Sequence, residues 1–219
     1  MLVPSMTYAE IAKEARADLP LIFGYYKHQR KLIERVARSA TRFPCAHFID
    51  YTTPTRNRYL LVTHIFRRFV HRGGAGFYPI LIQKKERGYA AHHLLLDKHK
   101  TEYMMTLLPH VYDQYAARKN INKTGIELVK HFAAHNMTSE NDYTKDLSSR
   151  EAKKRDTDSA HICMDEGVLM GELVSEDHIV IHTFITYDMT SGHQEEVFTQ
   201  KKNSLKDPFE NHKKTWYQK

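Results

Sequence analysis

Apolar residues recur at two different periods, and the change of period divides the chain. Thr7-Tyr8-Ala9-Glu10 has the form of a helix capping box, helical spacing follows to about Asp18, and Pro20 is expected to end it. A second helix is expected over residues 25–40, with Tyr26, Ile33, Val36 and Ala37 near one face. Residues 46–51, 58–70, 77–83 and 89–96 are rich in Phe, Tyr, Ile and Val and read as strands. Thr53-Pro54-Thr55 and Arg72-Gly73-Gly74-Ala75-Gly76 supply turn chemistry between them, so an antiparallel meander is expected.

Helical spacing returns over 101–108, and Pro109 either kinks that helix or opens a new one running to about Lys119. Thr124-Gly125-Ile126-Glu127 is a second capping box before a helix over 125–135, with Ile126, Val129 and Phe132 along one side. The polar stretch 137–158 reads as a loop. Three strands then follow at 160–165, 168–174 and 178–186, with Glu166-Gly167 and Ser175-Glu176-Asp177 as hairpin turns. The last strand is apolar on both faces and is expected at the centre of its sheet. The expected class is therefore α+β: N-terminal helices, a mainly antiparallel sheet, a central helix pair and three C-terminal antiparallel strands. One domain of 219 residues is expected, made of a helical extension (1–42), a strand-rich part (43–100), a helix-helix-three-strand part (101–189) and a tail or loose helix (190–219).

Charge adds a direction to this plan. The formal net charge is +7, but residues 1–100 carry 18 Lys and Arg against 7 Asp and Glu, a local excess of +11. Residues 156–200 carry 10 Asp and Glu and no Lys or Arg. Charge separated in this way makes a directional field. RNA or DNA is the expected partner of the basic part, with Arg30, Arg35, Arg38, Arg67, Arg68 and Arg72 as the backbone contacts. A solvated face, or two halves that neutralise each other, would give the same composition. The acidic stretch could alternatively dock a basic subunit of a larger assembly. No run of 18 apolar residues and no signal-like N-terminus is present, and two cysteines suit a reducing cytoplasm.

Common catalytic fingerprints are missing: there is no phosphate-loop, dinucleotide, zincin or nucleophile-elbow sequence, and no cofactor is expected. Cys45-Ala46-His47 and His161-Ile162-Cys163 would close a zinc tetrahedron only if their two strands were neighbours. His110, Gln114 and Arg118 are spaced at i, i+4 and i+8, so a helix sets them on one stripe. An imidazole and a guanidinium along one stripe are the groups that metal-free RNA cleavage requires, as proton carrier and phosphate cation. A surface helix with one half-buried histidine is the plainer reading of the same spacing.

The order of elements over residues 101–189, with His110–Arg118 on a helix, Gly125-Ile126-Glu127-Leu128 opening the next, and His182-Thr183-Phe184 on the last strand, resembles the RelE/ParE-like toxins. It also resembles the wider barnase–EndoU–colicin–RelE group of small ribonucleases. Gln114 stands where some of those relatives carry Arg, and residues 1–100 lie outside the resemblance. The resemblance implies a metal-independent endoribonuclease of toxin or defence type, with an antitoxin-like protein partner. It assigns His110 as acid or base, Arg118 as the phosphate cation, and His182 or His161 as the second proton carrier.

Overall fold

The computed structural model describes residues 2–3, 5–68, 70, 74–96, 102–137, 139–142, 159–190 and 193–205. Helix α1 spans Tyr8–His28. Its capping box is complete: the Glu10 N–H donates to Thr7 Oγ1 (3.3 Å) and the Thr7 N–H to Glu10 Oε2 (2.7 Å). Pro20 lies inside α1 and does not end it. Burial of Leu19 and Ile22 on either side of the proline holds the helix against the sheet and outweighs the one backbone bond the ring removes. The expected helix over 25–40 instead divides at Gln29, which closes α1 and opens α2, Arg30–Ser39.

The strands are β1 (Cys45–Thr52), β2 (Arg58–Ile65), β3 (Ala75–Lys85), β4 (Gly88–Leu96), β5 (Glu102–Leu107), β6 (Ser139–Asp142), β7 (Ser159–Met164), β8 (Val168–Ser175) and β9 (His178–Ile185). Helices α3 (Pro109–Lys119) and α4 (Gly125–His135) follow β5, and α5 (His193–Leu205) follows β9 and a 3₁₀ turn at Tyr187–Met189. The chain is thus α+β, with N-terminal helices, a mostly antiparallel sheet and C-terminal strands. The nine strands among the described residues form one sheet in the order β1-β2-β3-β4-β5-β9-β8-β7-β6, and β9 is interior, as its two apolar faces required. Among the described residues, only β5 and β9 pair in parallel.

The helix expected over 101–108 is strand β5. Met105 and Leu107 enter one core while Met104 enters another, the alternation of a strand held between β4 and β9. Pro109 is at the first turn of α3, the position that needs no backbone N–H. Thr124 precedes α4 without a side-chain capping bond. Part of the stretch read as a loop, Ser139–Asp142, pairs with β7, and residues 143–158 lie outside the described residues.

Helices cover both faces of the sheet. Under α3 and α4, Leu60, Val62, Ile80, Met105 and Ile181 meet Val111, Tyr115 and Phe132. On the other face, Ile11, Ala15, Leu19 and Ile22 of α1 meet Tyr59, Leu61, Leu81 and Met104. Helix α2 adds Ile33 and Ala37 against Ile65 at the C-terminal end of β2. Helix α5 seals the far half of the α1 face, where Phe198 packs on Cys163 and Val168. Among the described residues, no helix is long and apolar enough to cross a membrane.

The β8–β9 pair shifts register between Met170 and Gly171, and there the backbones close up. A Cβ at Gly171 would stand 2.0 Å from the Val180 carbonyl oxygen and 2.9 Å from Ile181 Cα. Because both obstacles are backbone in a central strand, Gly171→Ala is expected to cost about 3 kcal/mol. Urea unfolding checks this; a loss below about 1 kcal/mol, the ordinary mutational value, would refute the tight approach.

Candidate nucleic-acid interface

Helix α3 carries the predicted stripe, and its packing assigns each member a different job. Gln114, in the middle, faces β9: its Oε1 accepts from Thr183 Oγ1 (2.6 Å) and the Phe184 N–H (3.0 Å). It is the peg that fixes α3 on the sheet. His110 sits at the exposed N-terminal end, where its Nε2–H donates to the backbone carbonyl of His182. Arg118 is at the other end, about 12 Å along the axis by helix rise.

Those ends open on different surfaces. His110 borders a recess of about 980 Å³ between the β1–β2 turn, the β3–β4 hairpin and the start of α3. Arg118 borders a second recess of about 620 Å³ with Lys119, Lys202, Asp165, Glu166 and Asp188. In that recess Lys119 pairs with Glu166 at 3.5 Å, so its cations meet carboxylates of the acidic stretch from this same chain. Asp177, from the same stretch, pairs with Arg16 of α1.

His182 comes near His110 through its carbonyl and not through its ring. The imidazole Nε2 lies 3.0 Å from Glu172 Oε1. Ile181 and Leu173 pack beneath α3 and α4, so alternation turns Glu172, and the ring it holds, to the opposite face of the sheet. His161 is buried on β7 beside Phe198 of α5. The structure therefore brings His110 to the His182 backbone, but it does not gather the His110, His182 and Arg118 side chains around one phosphate-sized space.

The zinc arrangement also fails on position. β1 is an edge strand and β7 is the eighth in order, so Cys45 and His47 stand roughly 30 Å from His161 and Cys163 at ordinary strand spacing.

The predicted phosphate contacts converge better. On α2, Ile33 and Ala37 face inward, which turns Arg30, Lys31, Arg35 and Arg38 outward, all exposed. Lys27 and Arg42, also exposed, extend the patch at either end. Glu34 is the one carboxylate among residues 27–42, and it takes Arg30 (3.0 Å) and Arg38 (3.5 Å). Arg35 makes no ion pair among the described residues. Arg67 and Arg68 follow β2 at Ile65, the end on which α2 packs. Arg72 lies outside the described residues.

Several polar groups escaped the sequence reading. Four residues cross the α1 face as a buried chain: Gln83, His92, Thr106 and His178. His92 Nε2–H donates to Gln83 Oε1 (3.4 Å), the Thr106 hydroxyl donates to His92 Nδ1 (2.8 Å), and His178 Nε2–H donates to Thr106 (2.8 Å). Burial, with the neighbouring cationic groups, pushes His92 down to about 3 and His178 to about 4. On the other face His93 stacks on Tyr78 at 5.7 Å and is pushed down to about 3 by burial. Buried Asp18 gathers Asn57 Nδ2 (2.7 Å) and the Tyr59 hydroxyl (2.9 Å), pinning α1 to the β1–β2 turn. Its signal in the sequence was an acid within the apolar stripe Ala15-Leu19-Ile22. The basic recess also had a signal, the charged hairpin Lys84-Lys85-Glu86-Arg87 before Gly88.

No family model matches this chain, and no curated protein and no solved structure matches it.

Proposed function

We propose that this protein binds RNA or DNA through the exposed face of α2, with Arg30, Arg35 and Arg38 as its central phosphate contacts and Arg67 and Arg68 at its margin. One observation carries the reading: six outward cations over residues 27–42 answered by one carboxylate. Lysines and arginines held this densely on one side release condensed counterions when they meet a phosphate backbone. Helix α2 has 10 residues and is about 15 Å long, a length that lies readily along a nucleic-acid groove. Neither cysteine lies in a disulfide, which suits a cytoplasmic setting.

The arrangement favours binding over cutting, because the imidazoles and the guanidinium proposed for cleavage face different spaces. Incubation of the purified protein with total RNA in EDTA separates the two readings. Intact RNA, retained by the protein on a filter, is the expected result. Cleavage that disappears in His110→Ala would overturn it in favour of the metal-independent ribonuclease.

A further inference from the structure

The recess beside His110 stands apart from the α2 face. Arg58 and Ile65 are the two ends of β2, about 23 Å apart at strand rise, and the recess lies at the first while α2 packs on the second. Its lining is mostly of one sign. Arg56, Arg58, Lys84, Lys85 and Arg87 surround it, and Glu86 is the one carboxylate among the lining residues. Asp50 already takes Arg58 at 3.0 Å, whereas Arg56, Lys84 and Arg87 make no ion pair among the described residues.

The walls are rigid. Arg56 sits in the left-handed region (φ 62°) inside a turn closed by its own N–H to Thr53 O (2.9 Å) and the Thr53 N–H to Asn57 O (3.0 Å). Asn57 and Gln83, the two amides of the lining, are already occupied, by Asp18 and by the Val3 carbonyl (3.0 Å). Leu2, Ile82, Leu108 and Pro109 add apolar surface between the cations. A volume of about 980 Å³ is ample for a mononucleotide-sized ligand.

We infer that this recess is a second anion site, which takes a terminal phosphate, either of a free nucleotide or of a 5′-phosphorylated nucleic-acid end. Guanidiniums suit phosphate oxygens through paired N–H donors, and the lysines add point charge. The apolar surface would carry the sugar or base next to that phosphate. The inference is independent of the α2 reading, since the two sites share no residue.

The test uses calorimetric titration of the full chain with pyrophosphate, and of the Lys84→Glu/Arg87→Glu variant beside it. Both positions are exposed on a hairpin, and Arg56→Gln provides a milder second variant. Wild type should bind pyrophosphate, and each variant should bind it at least about tenfold more weakly. Arg35→Glu/Arg38→Glu should leave this binding unchanged. Absence of pyrophosphate binding at millimolar concentration, or equal affinity in the recess variants, would overturn the site. Two further arms, run in the Arg35→Glu/Arg38→Glu background, identify the source. ADP binding more tightly than pyrophosphate would assign a free nucleotide. A 5′-phosphorylated oligonucleotide binding more tightly than its 5′-hydroxyl form would assign a nucleic-acid end.

Discussion

Acidification from pH 7 to pH 5 should lower the unfolding free energy by at least about 4 kcal/mol. His92 and His93 are adjacent on β4, and alternation sends them into the two opposite cores, where they are 1% and 3% exposed. Both are held neutral, with folded values of about 3. In the unfolded chain each takes up its proton near 6.5. The unfolded state therefore binds more protons than the folded state throughout the interval from about 3 to 6.5. The stability these histidines permit is complete above pH 6.5 and falls as the pH drops, by about 1.4 kcal/mol per pH unit for each.

His178, held at about 4, acts in the same direction. Hydrogen bonding gives the structural reason on the α1 face. His92 Nδ1 is the acceptor that receives the Thr106 hydroxyl, and a proton there would set donor against donor. Tyr59 and Tyr115 are raised, away from this interval, and Asp177 is lowered, so none of them supplies the slope. Urea unfolding at pH 7, 6 and 5 measures the effect. His93→Phe, which keeps an aromatic ring on Tyr78, should remove about 1.4 kcal/mol per pH unit of it. Stability that stays level within about 1 kcal/mol would contradict the neutral buried histidines.

Reversing two charges on α2 should produce the largest functional change. Arg35→Glu/Arg38→Glu converts two phosphate contacts into two repulsions, and nucleic-acid affinity should fall about 100-fold or more. Folding should hardly register it. Both side chains are exposed, and the lost Arg38–Glu34 contact is a solvent-screened pair of the kind that contributes about 0.3–0.5 kcal/mol. Fluorescence anisotropy with labelled RNA and DNA, beside a thermal melt, gives both readings. An affinity change under about threefold with an unchanged melt would remove α2 from the interface.

The strands were the most legible part of the fold, because Phe, Tyr, Ile and Val alternate over β1 to β4 and β7 to β9 and turn residues separate them. Two helical expectations failed for tertiary reasons. Tyr103-Met104-Met105-Thr106-Leu107 has helix-forming methionines, yet a slot between β4 and β9 makes it a strand, and a parallel partner 74 residues away leaves no local signal. Pro20 was a sound stop signal overridden by apolar packing on both sides of it.

The candidate chemistry was legible as a stripe but not as a site. Spacing placed His110, Gln114 and Arg118 on one line of α3. That α3 lies across β9, with Gln114 pressed on the strand and its two ends over separate recesses, depends on packing that spacing does not encode. The His182 ring is turned away from α3, onto Glu172, because Ile181 and Leu173 take the α3 side, and alternation alone does not say which side that is. The α2 cations, by contrast, could be read directly, since a short apolar face on a basic helix leaves the charges nowhere to point except outward.

The most direct test of the account is the salt dependence of nucleic-acid binding by the unaltered protein. A labelled RNA strand and a DNA duplex of about 20 nucleotides, titrated between about 50 and 200 mM salt, should give a log–log slope of about −3 or steeper, as four or more phosphate contacts require. A flat slope, or no binding at the lowest salt, would contradict the claim that the basic face of α2 meets a phosphate backbone.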